Sequence, residues 1–253
     1  MLTVVILAKN AVERIAKCLE SVKFADEVIL IDDESTDKTI EIAKKFNAII
    51  YKRKLDDNFA QQRNFGIKKA KNEWVLFVDD DEIVTEKLKE EILEILRKAH
   101  DDDTFHAFCI KRRDFFWDRE LRFGEVRKAR IRGIIRLVRK GRGKWKGAVH
   151  EEYVVKGQVG RMSGFIDHFP HQTIAQFLQS INLYSDIRAK ELVRSEEHQS
   201  MRKAIFYPFG KFLYTYFVLL GVFDGPAGFV YSFMMSFHSF LVHSKRYLLC
   251  HKF

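Results

Sequence analysis

Apolar and polar positions in the first hundred residues alternate between two periods. "TVVILA" at 3–8, "EVILID" at 27–32, "AIIY" at 48–51 and "WVLFV" at 74–78 are short, nearly continuous apolar runs, rich in β-branched and aromatic residues. Such runs predict strands buried on both faces. Between them, "AVERIAKCLESV" at 11–22, "DESTDKTIEIAKKF" at 33–46 and "FAQQRNFGIKKA" at 59–70 carry helical patterns, the second with polar start signals. Strands alternating with helices predict an α/β fold with a parallel sheet. Ligands of such sheets bind beyond the carboxyl ends of the strands. Lys9-Asn10, Asp32-Asp33 and the run Asp79-Asp80-Asp81-Glu82 all fall at that edge.

After residue 104 the pattern changes. "FHAFCI", "GIIRLV" and "YVV" read as strands with no regular helix between them, and "TIAQFLQSINLYSDIRAKELV" at 173–193 reads as one long helix. Two charge-free runs follow, at 212–223 and 228–242, with "DGPAG" breaking them apart at 224–228. Each is shorter than the roughly 20 residues that a spanning helix needs. Together they hold ten aromatic residues, and Lys203, Lys211, Lys245, Arg246 and Lys252 flank them. They read as core helices, as a spanning hairpin or as a hairpin resting on an anionic membrane. The aromatic content and the flanking cations favour the last.

Composition narrows the class. A chain of 253 residues suits one large domain, or one with an appendage, and 47% hydrophobic content excludes a disordered chain. Cys18, Cys109 and Cys250 are far apart and form no CxxC pair. This argues against a disulfide framework or a structural zinc, and fits a reducing compartment. "MLTVVILAKN" has no basic region before its apolar run and reads as a strand, not a leader. The net charge of +9 is concentrated between 111 and 146, where fifteen Lys or Arg face four Asp or Glu. That implies an anionic partner: nucleic acid, anionic lipid or a phosphorylated substrate.

The four acids at 79–82 carry the sharpest chemistry. Like charges so close repel unless a cation or a proton offsets them. In an extended segment Asp79 and Asp81 share one side and Asp80 takes the other. An Asp-x-Asp pair at a strand end can hold a hard divalent cation, with phosphate oxygens completing the shell. Alone that signal is weak. Here it is one of an ordered set: "VVILAKN", then "VILIDDESTD" with Asp32, Asp33 and Ser35, then "QQRNFGIKKAKNEWVLFVDDDE" with Arg63 sixteen residues before Asp79.

With that set the chain resembles the family-2 glycosyltransferases of GT-A fold, densely so over the first hundred residues. "KWKGAVHEEY" at 144–153, "GFIDHFPHQTIAQFLQSINLYSDIRAKEL" at 164–192 and "GVFDGPAGFVYSF" at 221–233 resemble the bacterial lipopolysaccharide-core members, similar to β-1,4-glucosyltransferases acting on inner-core heptose. Where the family has Asn-Glu-Glu after the first strand, this chain has Asn10-Ala11-Val12-Glu13. The family's Asp-Ala-Asp is here Asp79-Asp80-Asp81.

The resemblance implies a GT-A, Rossmann-like, mostly parallel sheet flanked by helices over 1–195, with a nucleotide-sugar half (1–100) and an acceptor half (101–195). Residues 196–253 form a C-terminal apolar helical region. It implies nucleotide-sugar binding by Ala8, Asn10, Asp32, Asp33, Arg63, Asp79 and Asp80, with Asp32 or Asp33 on the uracil and Arg63 near the phosphates or base. Asp81, with His168, would hold Mg2+ or Mn2+. An inverting transfer needs a base: Glu151 is the first candidate, Glu152 the second, and His150 could orient the site. The expected donor is a UDP-sugar, with glucose favoured. The expected acceptor is a phosphorylated, lipid-linked saccharide at an anionic membrane, with the enzyme peripheral on the cytoplasmic face of the inner membrane. A polyprenyl-phosphate glycosyltransferase is the alternative within the fold. A nucleic-acid-binding protein, stacking bases on Phe115, Phe116, Trp117 and Phe123, is the alternative outside it. It explains neither the acids at strand ends nor the apolar C-terminus, so no nucleic-acid partner is expected.

Overall fold

The computed structural model describes residues 1–98, 104–148, 151–171, 173–193 and 201–251. In chain order the elements begin β1 (Leu2–Ala8), α1 (Ile15–Ser21), β2 (Glu27–Asp32), α2 (Thr39–Lys45), β3 (Ile49–Lys52), α3 (Phe59–Lys69), β4 (Trp74–Asp79), β5 (Glu82–Val84) and α4 (Glu86–Lys98). Next come β6 (Phe105–Phe116), β7 (Arg119–Leu121), α5 (Arg127–Arg132), β8 (Ile134–Arg139), β9 (Gly143–Lys146), β10 (Glu152–Val155) and β11 (Gln158–His171). The chain ends on α6 (Ile174–Val193), α7 (Met201–Leu213) and α8 (Gly225–Cys250). It forms two compact units, one of 1–112 with 131–168 and one of 113–130 with 169–253. The expected boundary at 195/196 lies outside the described residues.

In the first unit, β1 pairs in parallel with β2 on one side and β4 on the other, and β3 extends the sheet beyond β2. Past β4 the pairing turns antiparallel, through β8 and β6, and β5 pairs antiparallel with β11. Alternate residues of β1 explain its unbroken apolar run. Leu2, Val4 and Ile6 pack on one face with Ile15 and Leu19 of α1 and Leu88 and Ile92 of α4. Val5 points to the other face, with Ile29, Ile31, Phe77, Trp145 and Tyr153. Both faces are covered, so polar residues are confined to the strand ends.

Gly66 sets how close α3 comes to this sheet. A Cβ there would lie 2.5 Å from a Val5 methyl and 3.1 Å from Ile31 Cδ1. Only a residue without a side chain lets the helix backbone rest on β1 at this depth.

In the second unit, the end of β6 pairs with β7 across Trp117 and Asp118, both at positive φ (52° and 55°). Two such residues make the turn whose twist matches a hairpin. Phe116, Phe177, Ile181, Ala227 and Met234 form the core of this unit. Helices α7 and α8 pack side by side: the Ser236 hydroxyl donates to Pro208 O at 2.5 Å, and the Phe212 and Phe229 rings sit 5.6 Å apart.

The break between α7 and α8 differs from the sequence expectation. The chain leaves α7 through a π-helical turn at Tyr214–Val218, reverses at Leu220 (φ 64°) and makes a 3-10 turn at Gly221–Asp224. Gly225 and Pro226 open α8 instead of separating two helices. A proline is favourable in a first turn, whose N–H groups have no helical partner. A short helix, α5, also lies in the stretch expected to hold strands alone. No single described helix is long and apolar enough to cross a membrane. One bent pair, Met201–Val218 with Gly221–Cys250, meets the length and composition needed.

Candidate active site

The carboxyl ends of β1, β2 and β4 bring the sequence-predicted residues together in the first unit. Ala8 lies opposite Asp32 in register, and its carbonyl accepts from Asp33 N at 2.9 Å. Asn10, at φ 47°, donates its N–H to Ser35 Oγ (2.9 Å), and its side-chain oxygen accepts from Thr36 N (2.9 Å). Asp33 is engaged on both oxygens, by Lys9 Nζ and by Leu55 N, each at 2.8 Å. Asp32 is fully buried. One of its oxygens accepts from Ser35 N at 3.1 Å, and the other has no partner. A buried acceptor without a donor is costly, so Asp32 is the better placed of the two to accept from a ligand N–H.

The four acids do not share one environment. Asp79 ends β4, the chain turns at 80–81, and Glu82 begins β5. Asp79 faces two arginines: Oδ2 accepts from Arg136 Nη2 at 2.7 Å and Oδ1 from Arg63 Nη2 at 2.9 Å. Asp80 points elsewhere, to Arg14 Nε at 2.7 Å and Lys9 N at 3.3 Å. Glu82 is wholly buried; Oε1 accepts from Arg136 Nη2 at 2.8 Å and Oε2 from Asp79 N at 2.9 Å. Asp79 and Asp80 therefore diverge as alternation predicts, and the turn then carries Asp81 to His168.

These pairings fix the charges. Burial works to raise the Asp79 carboxyl, but Arg136 and then Arg63 outweigh it and hold it well below the usual range. Burial pushes Glu82 up despite Arg136, which it shares with Asp79. A proton entering this pair therefore goes to Glu82, since Asp79 has a second guanidinium. Asp80 is pushed up to about 7, by burial first and by the neighbouring Asp81 second, against Arg14.

Helix α3 supplies three residues of "RNFG" with three separate tasks. Gly66 seats the helix on β1. One turn earlier, Arg63 lies beneath the site between the rings of Trp145 (5.1 Å) and Phe77 (5.6 Å). Asn64 pins strand β9: its amide donates to Trp145 O at 2.9 Å and its oxygen accepts from Trp145 N at 3.0 Å. The segment that follows β9 carries Glu151, whose Oε1 accepts from Arg63 Nε at 2.6 Å. Glu152 opens β10 on the other side and is exposed. His150 lies outside the described residues.

Asp81 and His168 present two metal-type donors, with Asp81 Oδ1 3.5 Å from His168 Nε2. Two ligands each about 2.1 Å from one divalent ion can be separated by that distance. Asp79, already neutralised by two arginines, is not available as a third. Among the described residues, no group of three or more His, Cys, Asp or Glu is placed to hold a metal. A carboxylate, an imidazole and the oxygens of a bound diphosphate nevertheless fit the shell that Mg2+ or Mn2+ takes in nucleotide sites.

Sequence reasoning missed Arg136, Arg14 and the burial of Glu82. The available signal for Arg136 was a lone charge inside "GIIRLV", a strand otherwise apolar on both faces.

Comparison with known proteins bears on this arrangement. The glycosyl transferase family 2 model matches residues 3–167, which contain every strand-end residue described above. The chain belongs to that family. It is a glycosyltransferase, as the ordered motifs led us to expect. Relatives include an uncharacterized glycosyltransferase of Rickettsia typhi, 31% identical over 250 residues, covering 93% of this chain and 83% of that one. The lipopolysaccharide core biosynthesis glycosyltransferase LpsC of Rhizobium meliloti is 27% identical over 248 residues, covering 92% and 89%. Among solved structures, the mannosyltransferase PcManGT of Pyrobaculum calidifontis, in complex with GDP-Man and Mn2+, aligns with a TM-score of 0.58 at 13% identity, over 97% of this chain and 86% of that one. S. aureus TarS 1-349, in complex with UDP-GlcNAc, aligns at 0.51 and 13% identity, over 98% and 91%. Both likenesses concern the fold, and the expected α/β, GT-A class is borne out.

Proposed function

We propose that this glycosyltransferase moves a sugar, glucose in the first instance, from a UDP-sugar to a phosphorylated, lipid-linked saccharide of the lipopolysaccharide-core type, with inversion at the anomeric carbon. The observation that carries the reading is the pairing of Asp81 with His168, together with Arg63 joining the candidate base Glu151 to Asp79, two residues before Asp81. Asp32 offers an unpaired acceptor to the base of the nucleotide. The relationship to LpsC supports the acceptor class, and the nucleotide-sugar complexes of the fold neighbours support the donor class.

A bound Mg2+ or Mn2+ would neutralise charge on the departing diphosphate. Asp81 and His168 would hold it. Glu151 would take the proton of the acceptor hydroxyl as that oxygen attacks the anomeric carbon and the bond to the diphosphate breaks. Arg63 and Arg136 keep Asp79 ionised, ready to accept from donor hydroxyls.

The second unit supports the proposed membrane-bound acceptor. Asp224 is the sole acid between 201 and 251, and it is buried. Its carboxylate accepts from Arg122 N (3.0 Å) and Phe123 N (2.9 Å), which fastens the segment after β7, leading into α5 with Arg127 and Lys128, to the aromatic break between α7 and α8. Phe217 (54%), Val218 (62%) and Phe223 (66%) are exposed there. Apolar groups beside cations, with no exposed acid among residues 201–251, suit an anionic lipid surface. These features support the proposal of a peripheral enzyme at an anionic membrane, which we take to be the cytoplasmic face of the inner membrane.

The test is a panel of UDP-glucose, UDP-galactose, UDP-N-acetylglucosamine and GDP-mannose, each incubated with the enzyme and Mn2+ and assayed for slow release of the nucleotide. Release from UDP-glucose that chelator abolishes is expected. Equal inertness toward all four overturns the donor assignment.

A further inference from the structure

Arg136 sits in the middle of β8, between Ile135 and Leu137, and is 4% exposed. A guanidinium is costly to bury unless it is paired. Both of its polar contacts leave one nitrogen: Nη2 donates to Asp79 Oδ2 at 2.7 Å and to Glu82 Oε1 at 2.8 Å. Its Nε has no partner. Asp79 in turn holds Arg63, and Arg63 holds Glu151 through a second nitrogen, Nε. Glu82, Arg136, Asp79, Arg63 and Glu151 thus form one alternating chain of charges that starts in the core and ends at the candidate base.

We propose that Arg136 is a positioning residue for transfer: through Asp79 and Arg63 it sets where the Glu151 carboxylate stands, without itself touching the transferred sugar. The inference rests on the reading of Glu151 as the base. Without Arg136, Asp79 and Glu82 would face each other across the place of one nitrogen with no cation between them, and like charges so close move apart. That movement releases Arg63 from its present angle, and Glu151 with it.

The geometry distinguishes the two arginines. Arg136 acts through a single nitrogen, which a lysine ammonium can replace. Arg63 acts through two nitrogens aimed at two carboxylates, which a lysine cannot replace.

The experiment compares Arg136→Met, Arg136→Lys, Arg63→Lys and Glu151→Gln in the full-length protein. The readouts are UDP release from UDP-glucose with Mn2+, UDP affinity by calorimetry, thermal midpoint, and the Arg63 Nε–H signal in 15N NMR. Arg136→Met is expected to bind UDP within about threefold of the wild type and to lose about 10²-fold in kcat, the usual contribution of a positioned base. Its Arg63 Nε–H signal should lose protection from exchange. Arg136→Lys should recover kcat to within about tenfold of the wild type, and Arg63→Lys should not. If Arg136→Met does not fold, Arg136→Met combined with Glu82→Gln removes the stranded charge and takes its place, with the same loss expected. Wild-type kcat in the methionine variant, or equal losses in both lysine variants, overturns the inference. If Glu151→Gln alone keeps full turnover, the base assignment has failed instead.

Discussion

Arg63 Nε lies 2.6 Å from Glu151 Oε1, although 88 residues separate the two along the chain. The same guanidinium is 2.9 Å from Asp79. One buried side chain therefore bridges the end of the fourth strand and the segment beyond β9. A charged group so placed transmits position, because removing Arg63 would take from Glu151 the cation that it pairs with.

Glu151→Gln preserves shape and cannot accept a proton. Turnover should fall by about 10²-fold or more, with donor affinity little changed. Glu152→Gln, on the exposed side of β10, should keep turnover within about twofold. Steady-state kinetics on both variants checks the pair; a reversed ranking would move the base by one residue.

Gly66→Ala should destabilise the protein by about 1–3 kcal/mol, the usual cost of overpacking. The added methyl would meet the Val5 side chain at 2.5 Å and lift α3 from the sheet. Since Arg63 is carried on the same helix, turnover should fall together with the midpoint of urea denaturation. A variant with an unchanged midpoint would show that the helix seating is looser than described.

Much of the first unit was legible because β1, β2 and β4 are buried on both faces, which leaves apolar runs ending abruptly in acids. The strand-end acids Asp32, Asp33 and Asp79 could be located on that ground alone, whereas Arg63, on helix α3, came from the ordered motif set and the family resemblance. Their division of labour could not be. Nothing local says that Asp33 is saturated by Lys9 and Leu55 while Asp32 keeps a bare oxygen. Arg136 was hidden because a single charge in a strand usually marks a solvated position. The break between α7 and α8 was misplaced for a related reason: Gly225-Pro226 looks like an interruption, but proline suits a first helical turn, whereas the turn at Tyr214–Val218 has neither glycine nor proline.

Phe217→Ser and Phe223→Ser should weaken binding to phosphatidylglycerol-rich vesicles, and salt should weaken it further. Each basic residue near the surface contributes about 1 kcal/mol. Point substitutions are preferable to cutting the chain near residue 200, since α8 supplies Ala227 and Met234 to the core with Phe177. Cosedimentation reads the effect. Wild-type protein that ignores these vesicles at low salt would remove the membrane reading.

Nucleotide binding should not require Glu151 but should require Asp81 when the metal is present. The most direct test of the account is therefore a calorimetric titration of UDP into the wild type, Asp81→Ala and His168→Ala, with and without Mn2+. The account predicts that Mn2+ tightens binding at least tenfold in the wild type, that Asp81→Ala abolishes this enhancement at an unchanged thermal midpoint, and that His168→Ala reduces it. An enhancement of wild-type size in Asp81→Ala would contradict the account.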